Sequence, residues 1–493
     1  MHKPLDAQKG LEIDGVGAKV LRVLGVIDGQ TVLYLADDET EAEGLALVLE
    51  RLLPDAPVIH LPASDTLPGE DAPASPSNIG RRVTALRRLR ALSVDPRSSG
   101  PIVVSSGEAA ARRYACPEAF DAEPPVVRVG DSIDVDAFLA EAVTNGYFAD
   151  DRIDEPGEIA VRGEVIDLYP ADAGGPVRID IVDSHIGAIH HFDPVTQRRG
   201  QACDAIEIGR AAEPEEALEA TMLTHLSTGT VLLSRRAEKR RKRFVQLAER
   251  TAQEMKTEVD AVSDERWAAA LEDWRTESDL DEAGGNAIAS VPRFAEKKSI
   301  ARAFTRFLAA EREKGRAIAL IGSERDLRFL RIRLQGALSG ACEIGDIREL
   351  EERDAGDVVT ISAPLDRGAC DGQMTLIAAA DILGTRALIQ DNSNPVQPVG
   401  LGGAEIRIGD LVVHESHGFA KVLGLEPAPD GDGEVIALEY AMRTDASCQC
   451  ATPDCCGATA ATVTASRSTS LKAKAGTSAA RRSTKRLPRL RLP

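Results

Sequence analysis

Short apolar runs alternate with stretches of helical periodicity through the first hundred residues. "TVLYLAD" (31–37), "VIHLP" (58–62) and "PIVVSS" (101–106) are uninterrupted apolar segments of the buried-strand type. Between them, "ETEAEGLALVLERLLP" has helical spacing and stops at Pro54. "SNIGRRVTALRRLRAL" places Val83, Leu86, Leu89 and Leu92 on one side, behind a cap at Ser77 or Asn78. Strands separated by helices predict a parallel sheet with right-handed crossovers.

The pattern changes near Pro125. "DVDAFLAEAVTNGY" predicts one short helix, and "EIAVRGEVIDLYP", "VRIDIVDSHI" and "GAIHHFD" predict alternating strands with tight turns, hence an α+β module with antiparallel hairpins. From residue 215 to about 299 the pattern reads as helical. "SIARAFTRFLAAEREKGRAIALIGS" restarts helix and strand, and opens a smaller α/β unit that reaches about residue 390. "DNSNPVQPVG" is a linker by its Pro, Asn and Gly content. "IRIGDLVVHESHGFAKVLGLE" and "EVIALEYA" then read as strands with glycine turns, the start of a small all-β barrel.

Composition narrows the class. The 493 residues suffice for several domains, with 43% hydrophobic and 28% charged residues but only 3% aromatics, so the cores are aliphatic. The sequence shows neither a run of about 18 apolar residues nor a hydrophobic leader at Met1, so the expectation is a cytoplasmic protein with reduced thiols and no membrane partner. The net charge of −20 opposes non-specific binding to nucleic acid. It is unevenly placed: residues 442–493 hold ten Lys or Arg against two Asp, a net +8, which leaves −28 for residues 1–441. The basic run "RRAEKRRKRF" (235–244) reads as a solvated helix face, since acidic residues follow on the same helix.

Catalytic motifs are missing. G-x-x-x-x-G-K-[ST] and G-x-S-x-G are absent, and the glycine cluster "GVGAKV" (15–20) has neither the spacing nor the hydroxyl that would hold Mg²⁺. His414 and His417 lack a third zinc ligand and read as a structural turn. Cys116, Cys203, Cys342 and Cys370 are scattered and read as buried or inert. No catalytic residue, cofactor, metal or nucleotide site is expected, and the residues alone describe a multidomain binding protein.

Three stretches carry a resemblance to bacterial transcription-repair coupling factors. "LPASDTLPGEDAPASPSNIGRRVTALRRL" (61–89) resembles their UvrB-like amino-terminal part. "RIDEPGEIAVRGEVIDLYPADAGGPVRIDIVDSHIGAIHHFDPVTQRR" (152–199) is similar to the UvrA-interaction domain, which UvrB also carries. "IRIGDLVVHESHGFAKVLGLE" (406–426) is similar to the CarD-like RNA polymerase-interacting domain. The order of the last two separates this family from UvrB. The resemblance implies an α/β multidomain fold: a UvrB-like α/β body (1–124 and 213–300), an inserted α+β interaction domain (125–212), a small α/β domain (301–390), a linker (391–404), an incomplete CarD/Tudor-like barrel (405–441) and a disordered tail (442–493). It also implies a non-catalytic fragment without the family's ATP-driven DNA motor. Such a fragment links UvrA recruitment to stalled RNA polymerase and meets damaged DNA only indirectly. The alternative is a polymerase-binding adaptor without a repair role.

The resemblance implies sites as well. Arg162 and Arg178 take the positions of the family's UvrA contact, on neighbouring strands of one sheet face, where bidentate carboxylate pairing is available. Val182 stands where the family often has an aromatic. Losing such a charged hydrogen bond costs about 1–3 kcal/mol of binding. The bland alternative pairs both arginines with Asp167 or Asp180. For the RNA polymerase β subunit, the expected contact is strand addition along residues 434–440, with Ile436 and Leu438 as apolar contacts or, alternatively, barrel core.

After Ala441 the family pattern stops. Residues 442–493 contain no Phe, Trp or Tyr and four of the eight cysteines. "DCCGAT" (454–459), back-translated and read one nucleotide earlier, permits Gly-Leu-Leu-Trp-Arg-Tyr, and the same shift suits two other places in the tail. The expectation is therefore a reading-frame change near Ala441, an incomplete barrel with an open, sticky edge, and impaired polymerase binding. Zinc through Cys448, Cys450, Cys455 and Cys456 lacks paired C-x-x-C knuckles, the compartment disfavours disulfides, and a basic tail touching nucleic acid is the remaining alternative. Sequencing the coding DNA from the Tyr440 codon onward should reveal a second frame that continues the barrel; without one, the cysteine cluster returns as a candidate site.

Overall fold

The computed structural model describes residues 15–387 except 70–72, 95–98, 195, 215–217, 278–287, 355 and 385–386, and beyond them only the backbone of five strands between 411 and 457. Contacts divide the chain into two compact units, 1–398 and 399–493. Among the described residues no helix is long and apolar enough to cross a membrane.

The first sheet is all-parallel. It contains β1 (Thr31–Ala36), β2 (Val58–Leu61), β3 (Ile102–Ser106), β12 (Gly229–Leu233) and β13 (Arg275–Glu277), in the order β13-β12-β1-β3-β2. Every residue of β1 is buried, as expected for a central parallel strand covered on both faces. Helix α2 (Glu39–Leu52) follows β1 and is capped by Asp38, whose side chain accepts from the Glu41 amide. Helix α3 (Pro76–Val94) follows β2 and buries Val83, Leu86 and Leu89. Its cap is Ser75, whose Oγ accepts from the Asn78 amide at 3.3 Å, rather than Ser77 or Asn78. Asn78 is instead buried, with Nδ2 donating to the Ala63 carbonyl.

Residues 215–299 are not simply helical. "GTVLL" forms β12 at the side of β1, paired from Thr31↔Gly229 to Leu35↔Leu233. β-Branched and apolar residues suit that buried position. A Cβ on Gly229 would fall 2.0 Å from the Thr31 carbonyl oxygen, so only glycine permits the approach. The basic run lies in α6 (Arg235–Met255), and part of it serves the fold. Arg241 is 1% exposed, pairs with Glu238 and Asp264, and lies over the Trp267 ring, while Arg240 pairs with Glu108.

A third sheet has the order β14-β18-β19-β15-β17-β16, built on β15 (Ala317–Gly322), β17 (Val358–Ser362) and β19 (Met374–Ala378), with β14 (Ala289–Ser290), β16 (Cys342–Glu343) and β18 (Ala369–Cys370) beside them. Its strand β14 begins ahead of residue 301. One aliphatic core joins Val32, Tyr34 and Leu49 to Ile321, Ile361 and Leu376, so the first and third sheets are held by common packing. The "GVGAKV" glycines belong to this joint. Helix α1 (Val16–Leu24) lies so close to the 367–369 backbone that a Cβ on Gly17 would come within 2.4 Å of the Arg367 carbonyl oxygen, and the Asp366 side chain accepts from the Val16 amide.

Cys370 is buried, and Cys116, Cys203 and Cys342 are partly buried free thiols. In the second unit, β20 (Leu411–His414), β21 (Gly418–Pro427), β22 (Glu434–Tyr440), β23 (Cys448–Cys450) and β24 (Cys456–Gly457) form a sheet ordered β23-β22-β21-β20-β24. Among the described residues no pairing closes it into a barrel. The expectation of a free edge at 434–440 is corrected: β22 pairs with β21 on one side and with β23 on the other, from Ile436↔Cys450 to Leu438↔Cys448. Two segments of the tail expected to lack structure thus form strands. The rest of that tail, and the side chains of Ile436, Leu438, His414 and His417, lie outside the described residues.

On the other face of the first sheet, His225 is 4% exposed between the Tyr114 and Phe120 rings, with centroids at 5.9 and 5.6 Å. Its Nε2–H donates to the Ala115 carbonyl at 3.0 Å, and its buried Nδ1 has no partner. Burial pushes its pKa down to about 4. The native state therefore holds it neutral, while the unfolded chain takes up a proton near pH 6.5. Its contribution to stability is complete above that pH and is lost as pH falls toward 4, by about 2 kcal/mol at pH 5. Thermal melts at pH 7 and pH 5 should show a smaller decline for His225→Gln than for the parent chain.

Candidate functional site

The inserted domain folds around a six-stranded sheet: β5 (Phe148–Ala149), β6 (Glu158–Arg162), β7 (Val165–Leu168), β8 (Val177–Val182), β9 (His185–Phe192) and β10 (Arg199–Cys203). All neighbouring pairs except β5–β6 are antiparallel. "VRIDIVDSHI" turns at Asp183 and Ser184, with φ of 51° and 60°. Two consecutive residues at positive φ make the tight hairpin turn that matches strand twist. Alternation then sorts the residues: Ile159, Ile166, Ile179 and Ile189 face the domain core, and the opposite face is polar.

On that polar face Asp167, Arg178 and His190 are direct cross-strand neighbours on β7, β8 and β9. Asp167 is 2% exposed and receives Arg178 through Nε at 2.5 Å and Nη2 at 2.8 Å. The Arg178 guanidinium lies 4.7 Å from the Phe192 ring centroid, and Nη2 also donates to Gln197 Oε1. The Asp167 hydrogen bond holds the Arg178 pKa above the usual guanidinium range. Arg162 reaches the same carboxylate at 3.7 Å, donates to the Asp151 carbonyl through Nε and Nη2, and keeps a half-exposed side chain.

Arg162 and Arg178 were expected on neighbouring strands. They lie on β6 and β8 with β7 between, and Asp167 of that strand is the group they share. The paired alternative is thus realised for Arg178. Arg199 pairs with Asp180 at 2.8 Å. Burial, then the nearby Arg199 charge, lower the pKa of His190, which favours its neutral form. Alternation along the strands puts three guanidiniums (Arg162, Arg178 and Arg199) and three carboxylates (Glu158, Asp167 and Asp180) on this face. Val182 ends β8 on the same face and is 58% exposed. Sequence reasoning passed over His190, Phe192, Gln197 and Arg199, although the two-residue period of β9 was enough to place His190 and Phe192 on the side opposite Ile189.

Among the described residues no group of His, Cys, Asp or Glu is placed to hold a metal ion. Residues 126–213 match the UvrB interaction domain. The chain is 30% identical over 221 residues to the transcription-repair-coupling factor of Bacillus subtilis, covering 44% of this chain and 18% of that protein. It is 29% identical over 187 residues to the factor of Staphylococcus epidermidis (38% and 15%) and over 185 residues to that of Staphylococcus aureus (37% and 15%). The matched part thus spans less than a fifth of those relatives.

Within the UvrB interaction domain, Asp167 is the group on which the arginines depend. Asp167→Ala leaves a largely buried guanidinium without its carboxylate, at a cost on the order of 2 kcal/mol. Both tryptophans lie outside this domain. Amide hydrogen exchange is the readout: β7 and β8 should exchange faster in the variant while β1 and β12 keep their protection.

Proposed function

We propose that the polar face of the UvrB interaction domain docks UvrA, and that this chain acts as a non-catalytic link between nucleotide-excision repair and stalled RNA polymerase. The observation that carries the reading is the state of Arg162. Its guanidinium is half-exposed and only weakly engaged by Asp167, next to a rim that exposes Val182. A partner carboxylate can pair with the Arg162 donors that the Asp151 carbonyl does not engage, and an apolar side chain can cover Val182. Arg178, held by Asp167, orients the face and adds charge.

The transcription side of the proposal rests on the relatives' names and on the likeness of residues 406–426. Ile436 and Leu438 remain the proposed contacts for the polymerase β subunit. Since β22 is paired along both edges, a partner strand has to displace β23 to reach it, which weakens the contact. Damaged DNA is reached through UvrA.

Capture of purified UvrA on the immobilised chain tests the reading. Arg162→Ala and Val182→Asp alter exposed side chains and should each weaken capture about tenfold or more. Arg178→Ala should also weaken it, but removes an internal pair as well, so it is secondary. Unchanged capture in both exposed variants would sink the proposal. Binding to a β-subunit fragment with none to UvrA would favour a polymerase adaptor instead.

A further inference from the structure

A second group of arginines lies in the α/β body, away from the polar face of the interaction sheet. Ser64 and Thr66 follow β2, and Arg112 and Arg113 follow α4 (Gly107–Ala111), the helix that continues from β3. With Arg82 of α3 they line a cavity of about 520 Å³, closed on another side by Gly146 and by residues 211–213 where the UvrB interaction domain joins the body. The crevice beyond the carboxyl ends of parallel strands is where open α/β sheets hold ligands.

Arg82 is 5% exposed and Arg112 8%, yet the Nε atoms of Arg82, Arg112 and Arg113 are all buried without a hydrogen-bond partner. Arg82 Nη1 pairs with Glu213 at 2.5 Å. Arg112 Nη2 donates to the Ser64 and Thr66 carbonyls, and its guanidinium lies over the Phe244 ring. Arg113 makes no ion pair among the described residues. Burial, then the charge of Arg82, lower the basicity of Arg112, so the cations crowd one another. Glu213 and the exposed Asp260 are the two carboxylates at the cavity, against three guanidiniums.

We propose that this cavity binds an organic phosphate. A dianion relieves the crowding of three cations, which the partly exposed carboxylate of Glu213 does only in part. Pro76, Ile79 and Leu218 supply an apolar wall for the body of the ligand, and the volume suits a group of mononucleotide size. The phosphate ester belongs either to a free nucleotide or to the end of a nucleic-acid strand.

Titration calorimetry of the full chain at constant ionic strength tests this with three probes: inorganic phosphate, AMP and a 5′-phosphorylated single-stranded oligonucleotide. Saturable one-to-one binding of AMP supports a free nucleotide, and saturable binding of the oligonucleotide without AMP supports a strand end. Arg113→Gln removes a side chain that makes no ion pair among the described residues. It should weaken whichever probe binds about tenfold or more, and leave UvrA capture unchanged. The proposal is overturned if neither AMP nor the oligonucleotide saturates, whether or not inorganic phosphate does, or if Arg113→Gln binds as the parent does.

Discussion

Burial of β1 on both faces is the constraint from which the body of this protein follows. Val32 and Tyr34 point to one side and Leu33 and Leu35 to the other, and all are 2% exposed or less. A strand of this kind needs an apolar layer on each side. On one side α1 and α2 supply it and carry the packing through to the third sheet. On the other, α3 and the segments around Tyr114 and Trp267 complete it. Because β12 returns to pair with β1, the chain can leave the body after α4, build the UvrB interaction domain, and come back without opening the core.

The arginines divide into those that hold the fold and those with donors to spare. Arg241 and Arg178 have their forks filled by carboxylates and lie on aromatic rings, so their charge is spent inside the molecule. Arg162 and Arg113 are part of the same chemistry in a different state: one meets its carboxylate only at 3.7 Å, and the other meets none among the described residues. A net charge of −20 hides both. Cations gather at the cavity because helices and loops distant in sequence meet there.

The amino-terminal alternation, the strands of the first sheet and the helical face of α3 were legible in the sequence, because burial on a sheet or helix imposes a period that local residues must obey. The hairpins of the UvrB interaction domain were legible for the same reason, whereas Arg162, Arg178 and Val182 were picked out only by their positions in the family resemblance. Tertiary structure alone decided the rest. "GTVLL" was hidden in a helical stretch because it is completed by β1, nearly two hundred residues away. The glycines of "GVGAKV" are explained by a backbone 350 residues distant, and Asp167 became the shared partner of two arginines only once β7 stood between their strands. The cavity of Arg82, Arg112 and Arg113 is likewise absent from any local pattern. Periodicity reports which face of an element is buried; which element covers it, and which charges are left without partners, depends on packing between segments that no short window of sequence contains.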